Sequence, residues 1–276
     1  MNPSLQSLVE DRYITPAPNV ALLQNVPDLV LQQLQHKSVR QYTDAPVSDA
    51  HLHTLVMAAQ SAATSSNLQV WSVVAVRDPA QKAQLAALAG GQAHVQACPL
   101  FLVWLADVRR LGDIAQNEGV EPVALGYTEM TLMAAIDASL AAQNAVLAAE
   151  AMGLGTVYIG GMRNQPEAVA EVLGLPTGCF AVFGMCVGWP TPEASAAPVR
   201  PRLPLTAVLH QGRYDAQPAK AALADYNQAM AQFQAQSGMP VQNWTEQSAK
   251  RVGSVKAMTG RERLHAALQA QGMGLS

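Results

Sequence analysis

Five cationic or potentially cationic side chains fall in two short stretches of a chain that is otherwise sparing with charge. His36, Lys37 and Arg40 surround Ser38 in HKSVR, and Arg200 and Arg202 stand two apart in RPR. In an extended segment alternate residues share a face. His36, Ser38 and Arg40 can then converge on one anion, as can Arg200 and Arg202. A phosphate exchanges its hydration only for several charge-assisted donors, which these residue types supply. Independent, solvated cations are the other reading, and the pattern alone supports the two equally.

Other chemistries find less support. GLGTVYIGG (153–161) has two of the glycines of a dinucleotide fingerprint, but Tyr158 stands where the third belongs. The order is also helix, glycines, strand, the reverse of what that fingerprint needs. Gly153 reads more simply as the stop of the preceding helix. Gly160 and Gly161 close an apolar strand, where bare backbone can admit a flat ligand or simply turn; the turn is the commoner use. His51 and His53, two apart on a helix, point in different directions and do not chelate. His94, His210 and His265 lack partners at ligand spacing, so no metal site is expected. Cys98, Cys179 and Cys186 sit in apolar runs without paired spacing and read as buried hydrophobes. No phosphate-binding Gx4GK[ST] loop and no GxSxG elbow occurs, so no nucleophilic side chain is implied.

The elements that must position these residues are helices interleaved with strands. Residues 1–25 carry Pro3, Pro16 and Pro18 and read as irregular. PDLVLQQLQ starts a helix near Pro27, and Ser48 caps a second one that places Leu52, Leu55, Val56 and Ala59 on one face. WSVVAV (71–76), PLFLVWLAD (99–107), TVYIGG (156–161) and FAVFGMCVGWP (180–190) read as strands. The last lacks alternation, as a strand buried on both faces does. Helices are expected over DPAQKAQLAALAGG, 129–152 and PEAVAEVLGL. A proline-rich connection (191–204) leads to helices beyond Tyr214. The class is α/β or α+β around one central sheet.

The chain has 276 residues, 50% hydrophobic and 13% charged, with net charge −3. So little charge implies a large core or an oligomer that covers apolar surface. It gives no basic excess for nucleic acid or anionic lipid, so neither is an expected partner. The apolar segment 129–152 contains Glu129, Asp137, Gln143, Asn144 and Glu150, which suits a buried or interface helix better than a membrane span. The N-terminus shows no basic region followed by an apolar run, and a cytoplasmic location is expected.

HKSVRQYTDAPV, ATSSNLQ, GGQAHV, LGLGTVYIGGMRN, FGMCVGWP and RPRLP follow one another in this order. Together they make residues 30–276 resemble the FMN-dependent, oxygen-insensitive nitroreductases, in the subgroup of the major NADPH nitroreductase and flavin reductase P. The resemblance implies an α+β fold, a central, mostly antiparallel sheet wrapped by helices in an intertwined homodimer. Residues 26–276 would form the single FMN-dependent domain, with 1–25 as an N-terminal extension. It implies two-electron, ping-pong reduction of nitroaromatics, quinones or related flat electrophiles by NADPH or NADH. Free flavin as the acceptor, or a non-catalytic flavin carrier, is the alternative.

Carried over by residue, His36, Lys37 and Ser38 resemble phosphate and ribityl ligands, and Arg200 with Arg202 the second phosphate pair. Arg40 resembles the cation at the pyrimidine edge, where a fixed guanidinium stabilises reduced flavin. Thr64, Ser65, Ser66 and Gln69 resemble the polar loop beside the ring, and Gln92 a glutamine bonded to it. Tyr158, Ile159, Gly160 and Gly161 resemble the segment at the N5 and O4 edge. Ser66, Asn67, Glu129 and Arg261 match substrate or nicotinamide-nucleotide contacts. The sequence has Lys37 and Arg200 where the family usually has Arg and Lys, and Asn67 where relatives carry Phe. SGMPVQNW lacks the arginines that grip the 2′-phosphate, which weakens the expected preference for NADPH.

Overall fold

The computed structural model describes residues 5–13 and 23–274. Four strands, β1 (Trp71–Val76), β2 (Leu100–Asp107), β3 (Gly155–Ile159) and β4 (Cys179–Gly188), form one sheet in the order β1-β2-β4-β3. Every neighbouring pair is antiparallel, and β2 and β4 shift register once, between Trp104 and Leu105. The apolar runs of the sequence therefore fall on the strands within a residue or two. The class is α+β.

The chain divides into two compact units. One comprises residues 38–195 and 258–276, the other residues 1–37 and 196–257. In the first, the lack of alternation in the strands has a direct cause: helices cover both faces of the sheet. Phe101, Val103 and Leu105 of β2 pack with Val157, Ile159 and Cys186 against Leu85, Ala86 and Val169, from the helices Pro79–Leu88 and Pro166–Leu173. Leu100, Leu102 and Trp104 face the other way. They meet Leu55 and Ala59 of the helix Asp49–Gln60 and Ala141, Ala142, Ala145 and Val146 of the helix Thr128–Ala151. A strand apolar on every position is what two covered faces demand.

Local signals explain the element ends. Ser48 accepts the His51 N–H as N-cap, and Asp78 accepts the Gln81 N–H ahead of Pro79 in the first turn. The helix Pro79–Leu88 stops before Gly90 and Gly91, and the long helix before Gly153, all three at positive φ. Cys98, Cys179 and Cys186 are buried and free. The long helix is, by length and composition, apolar enough to cross a membrane. One side of it is instead buried against the sheet, and Asp137 is 1% exposed there.

In the second unit the helices Asp28–Leu34, Leu223–Gln236 and Trp244–Val252 are present, with Tyr226, Met230 and Phe233 forming a small core. One expectation fails. Residues 1–25 read as irregular, yet Leu5–Tyr13 is a helix that buries Leu8, Val9 and Arg12. The three prolines all fall outside its nine residues and so do not interrupt its hydrogen-bond ladder. Those prolines lie outside the described residues.

Candidate flavin site

In the unit of residues 1–37 and 196–257, both cation-bearing stretches are held by one buried guanidinium. Arg12, 5% exposed, donates from Nε and Nη2 to the Leu34 carbonyl at 3.2 and 2.5 Å. Nη2 also donates to the His36 carbonyl at 2.8 Å, and Nη1 to the Arg200 carbonyl at 2.9 Å. The Arg202 N–H returns a bond to the Arg12 carbonyl at 2.9 Å. Residues 34–36 and 200–202 are thereby bound to a single side chain.

Lys37 Nζ donates to the Ala197 carbonyl at 2.8 Å, and burial holds its ammonium below the usual lysine pKa. Arg200 and Arg202 are exposed, Arg200 stacking 5.5 Å over the Phe233 ring. Tyr226 Oη donates to the Pro201 carbonyl at 3.1 Å, and its phenol is raised by burial while both arginines pull it down. His36, Lys37, Arg200 and Arg202 thus lie on two segments tied to each other. This donor set suits a phosphate.

Ser38 and Arg40 belong to the other unit. Ser38 makes a parallel bridge to Thr156, and the Val39 N–H donates to the Thr156 carbonyl at 2.8 Å. The extended stretch alternates as its sequence suggests: Ser38 and Arg40 are exposed and Val39 is buried. A Cβ on Gly155 would stand 2.6 Å from Val39, so that glycine is what admits Val39 to the core. Tyr42 Oη donates to the Val39 carbonyl at 2.5 Å. Burial raises the Tyr42 phenol, as do Cys186 and Cys98, whereas Arg40 lowers it. His94 is held below the ordinary histidine pKa, first by burial and then by the Arg40 charge. Its Nε2 is buried without a hydrogen-bond partner among the described residues.

Gln92, Gly160, Gly161 and Arg261 come together in this same unit. Gln92 Nε2 donates to the Ala89 carbonyl at 2.9 Å. A Cβ on Gly161 would lie 2.6 Å from that same carbonyl oxygen, so Gly161 is needed for packing. Gly160 differs: a Cβ there would meet only guanidinium groups, Arg163 Nη2 at 3.4 Å and Arg261 Nη2 at 3.6 Å. Arg163 Nη1 donates to the Val182 carbonyl, and Arg261 Nε to Asn164 Oδ1 at 2.9 Å. Gly161 thus serves the packing of the turn Gly160–Arg163, and Gly160 lies beside two fixed guanidiniums. Ile159 is 1% exposed and can contribute only main-chain groups. The Tyr158 side chain is directed to Phe183 and to Gln143 Oε1, 3.3 Å from its hydroxyl.

Thr64, Ser65, Ser66, Asn67 and Gln69 form a loop anchored to a residue that sequence reasoning did not single out as functional, Asp137. The Thr64 hydroxyl donates to its carboxylate, the Ser65 N–H donates to Oδ1 at 3.1 Å, and the Gln69 N–H donates to Thr64 Oγ1 at 2.9 Å. Ser66, Asn67 and Gln69 have φ of 51°, 56° and 53°. Three non-glycine residues in the left-handed region cost about 1–3 kcal/mol each, which a buried carboxylate anchor offsets. An ionisable residue in an almost wholly apolar helix was the available signal. Glu129 is exposed in the first turn of that helix.

An antiparallel sheet with helices on both faces, an extended cation-bearing stretch beside β3 and a glycine turn between fixed arginines define the α+β class of this unit. The chain belongs to the nitroreductase family: the family's pattern matches residues 34–189, and that of its C-terminal domain residues 200–276. The NADPH-flavin oxidoreductase of Vibrio harveyi is 42% identical over 181 residues, 66% of this chain and 72% of the relative. The oxygen-insensitive NADPH nitroreductase of Salmonella typhimurium is 39% identical over 198 residues, 72% of this chain and 79% of the relative. Among solved structures, NfrA2 of B. megaterium superposes with a TM-score of 0.85 at 35% identity, covering 91% of this chain and all of that one. These relatives agree with the subgroup that the ordered motifs indicate.

Proposed function

We propose that the protein is an FMN-dependent NAD(P)H oxidoreductase that reduces nitroaromatics, quinones or related flat electrophiles by a ping-pong route. The observation that carries this reading is the Gly160 turn, whose open backbone is bordered by the Arg163 and Arg261 guanidiniums. When bound, FMN supplies two-electron chemistry, accepting a hydride from the reduced nicotinamide and returning two electrons to the acceptor.

The chain's own residues hold and polarise that group. His36, Lys37, Arg200 and Arg202, on the two segments tied through Arg12, receive the phosphate end. Arg40 places a fixed positive charge at the pyrimidine edge, where a reduced ring accumulates negative charge. Burial and the Arg40 charge lower the His94 pKa, which disfavours a second cation beside Arg40. Gln92, Gly160 and Gly161 present an amide and main-chain groups to the ring. Arg261 and Glu129 serve the nicotinamide nucleotide or the acceptor, as do Ser66 and Asn67.

The protein acts as a homodimer in the cytoplasm, without membrane or nucleic-acid partners. Leu132, Ile136 and Leu140 support the dimer. They lie four residues apart on one stripe of the long helix and are 55%, 57% and 43% exposed. Residues 26–276 act as one functional domain.

Steady-state rates with varied NADPH against a nitroaromatic, a quinone and free FMN test the reading. Parallel double-reciprocal lines are expected at different acceptor concentrations, with the acceptors ranked by their own kcat/KM. Intersecting lines would contradict a shared slot used in turn. Equal turnover with NADH and NADPH at equal concentration would show that this chain has lost the preference for NADPH.

A further inference from the structure

We infer that Arg12, from the N-terminal helix Leu5–Tyr13, is a positioning residue that sets the affinity of the phosphate site. This inference rests on reading His36, Lys37, Arg200 and Arg202 as that site. Lys37, Arg200 and Arg202, gathered for one anion, repel one another, so something other than the anion must hold their backbones in place. Arg12 fits that task. Its guanidinium, 5% exposed, spends its donors on carbonyls of both cation-bearing segments: Leu34 and His36 on one, Arg200 on the other. The planar fork makes these contacts together, which a lysine cannot do. Its own carbonyl accepts from the Arg202 N–H, so the link runs in both directions. A buried positive charge behind the segments also raises the potential at which the phosphate binds.

Arg12 lies outside both stretches matched by the family, residues 34–189 and 200–276. The brace therefore comes from a part of the chain that the family pattern does not include. Its role is distinct from that of a ligand, since its donors point at main-chain oxygens of its own protein.

Comparing FMN with riboflavin, which lacks the phosphate, isolates the effect. Dissociation constants of both for the apoprotein are measured by flavin fluorescence, for the natural chain, Arg12→Ala and Arg12→Lys. Thermal melting of each apoprotein is recorded alongside. Arg12→Ala is expected to weaken FMN by about tenfold and riboflavin by less than about twofold. Arg12→Lys, which keeps the charge but not the fork, should fall between. Unchanged FMN affinity, or equal losses for both flavins, would overturn the inference by reducing Arg12 to a general stabiliser. Should Arg12→Ala not fold, the same ratio in Arg12→Lys decides. Equal affinity of the natural chain for FMN and riboflavin would instead show that no phosphate site exists, and the functional reading would fail with it.

Discussion

A guanidinium beside a half-buried imidazole disfavours the imidazolium, and the His94–Arg40 pair gives the fold a pH dependence of definite sign. The folded chain binds the His94 proton less readily than the unfolded chain, because burial and Arg40 both lower its pKa from 6.5. Stability is therefore full above that value and is lost as pH falls through it towards the lower folded pKa. The urea midpoint of the apoprotein should drop across that window, and His94→Gln should flatten the drop. A profile identical in the variant would remove His94 from the account. Arg40→Ala should leave the fold intact and either release FMN or slow its reduction by NADPH; unchanged flavin content and rate would refute the role assigned to Arg40. At this scale the sequence was legible where alternation applied. Val39 is buried between exposed Ser38 and Arg40, as an extended HKSVR requires. Arg12 was not legible, because its partners are carbonyl oxygens, which every residue carries. The need for glycine at 161 arises from the Ala89 carbonyl, a contact that no local spacing announces.

An element buried on both faces declares itself by an unbroken apolar run, as β4 does. Loops held by distant side chains do not. The run Thr64–Gln69 looks like any polar turn until Asp137 is placed beneath it, and only tertiary structure joins those positions. Asp137→Ala removes acceptors for the Thr64 hydroxyl and the Ser65 N–H. It should cost about 1–3 kcal/mol in chemical denaturation and relax the left-handed residues 66, 67 and 69. Amide exchange across 64–69 should accelerate in the variant; exchange as slow as in the natural chain would mean that the loop holds itself. Gly161→Val meets the Ala89 backbone, which cannot withdraw as a flexible side chain could. A loss of about 1–3 kcal/mol is expected there as well, whereas Gly160→Ala, which meets nothing closer than Arg163 Nη2 at 3.4 Å, should cost less in stability than in flavin affinity. The helix Leu5–Tyr13 was missed for a different reason: three nearby prolines outweighed a helix of nine residues that none of them enters.

For the whole molecule, a surface poor in charge and a long helix with an exposed apolar stripe point to a second copy of the chain. Ile136→Glu with Leu140→Lys should convert a dimer to a monomer in sedimentation and release flavin at the same time. A variant that stays dimeric would place the interface elsewhere. The sequence indicated an oligomer through its lack of charge, the apolar segment 129–152 and the family resemblance; which helix face is left open is known once the sheet has covered the other. Its ordered motifs carried more than any one of them could, since each alone has an ordinary structural use. The central claim is that this scaffold holds FMN and lets a reduced nicotinamide nucleotide reach it. Anaerobic titration of the purified protein with NADPH, followed by visible absorption, tests that claim most directly. The account predicts a yellow protein that bleaches as the nucleotide is added and recovers its colour when an acceptor is mixed in. A colourless protein with no affinity for FMN, or a yellow one that neither NADPH nor NADH can bleach, would contradict it.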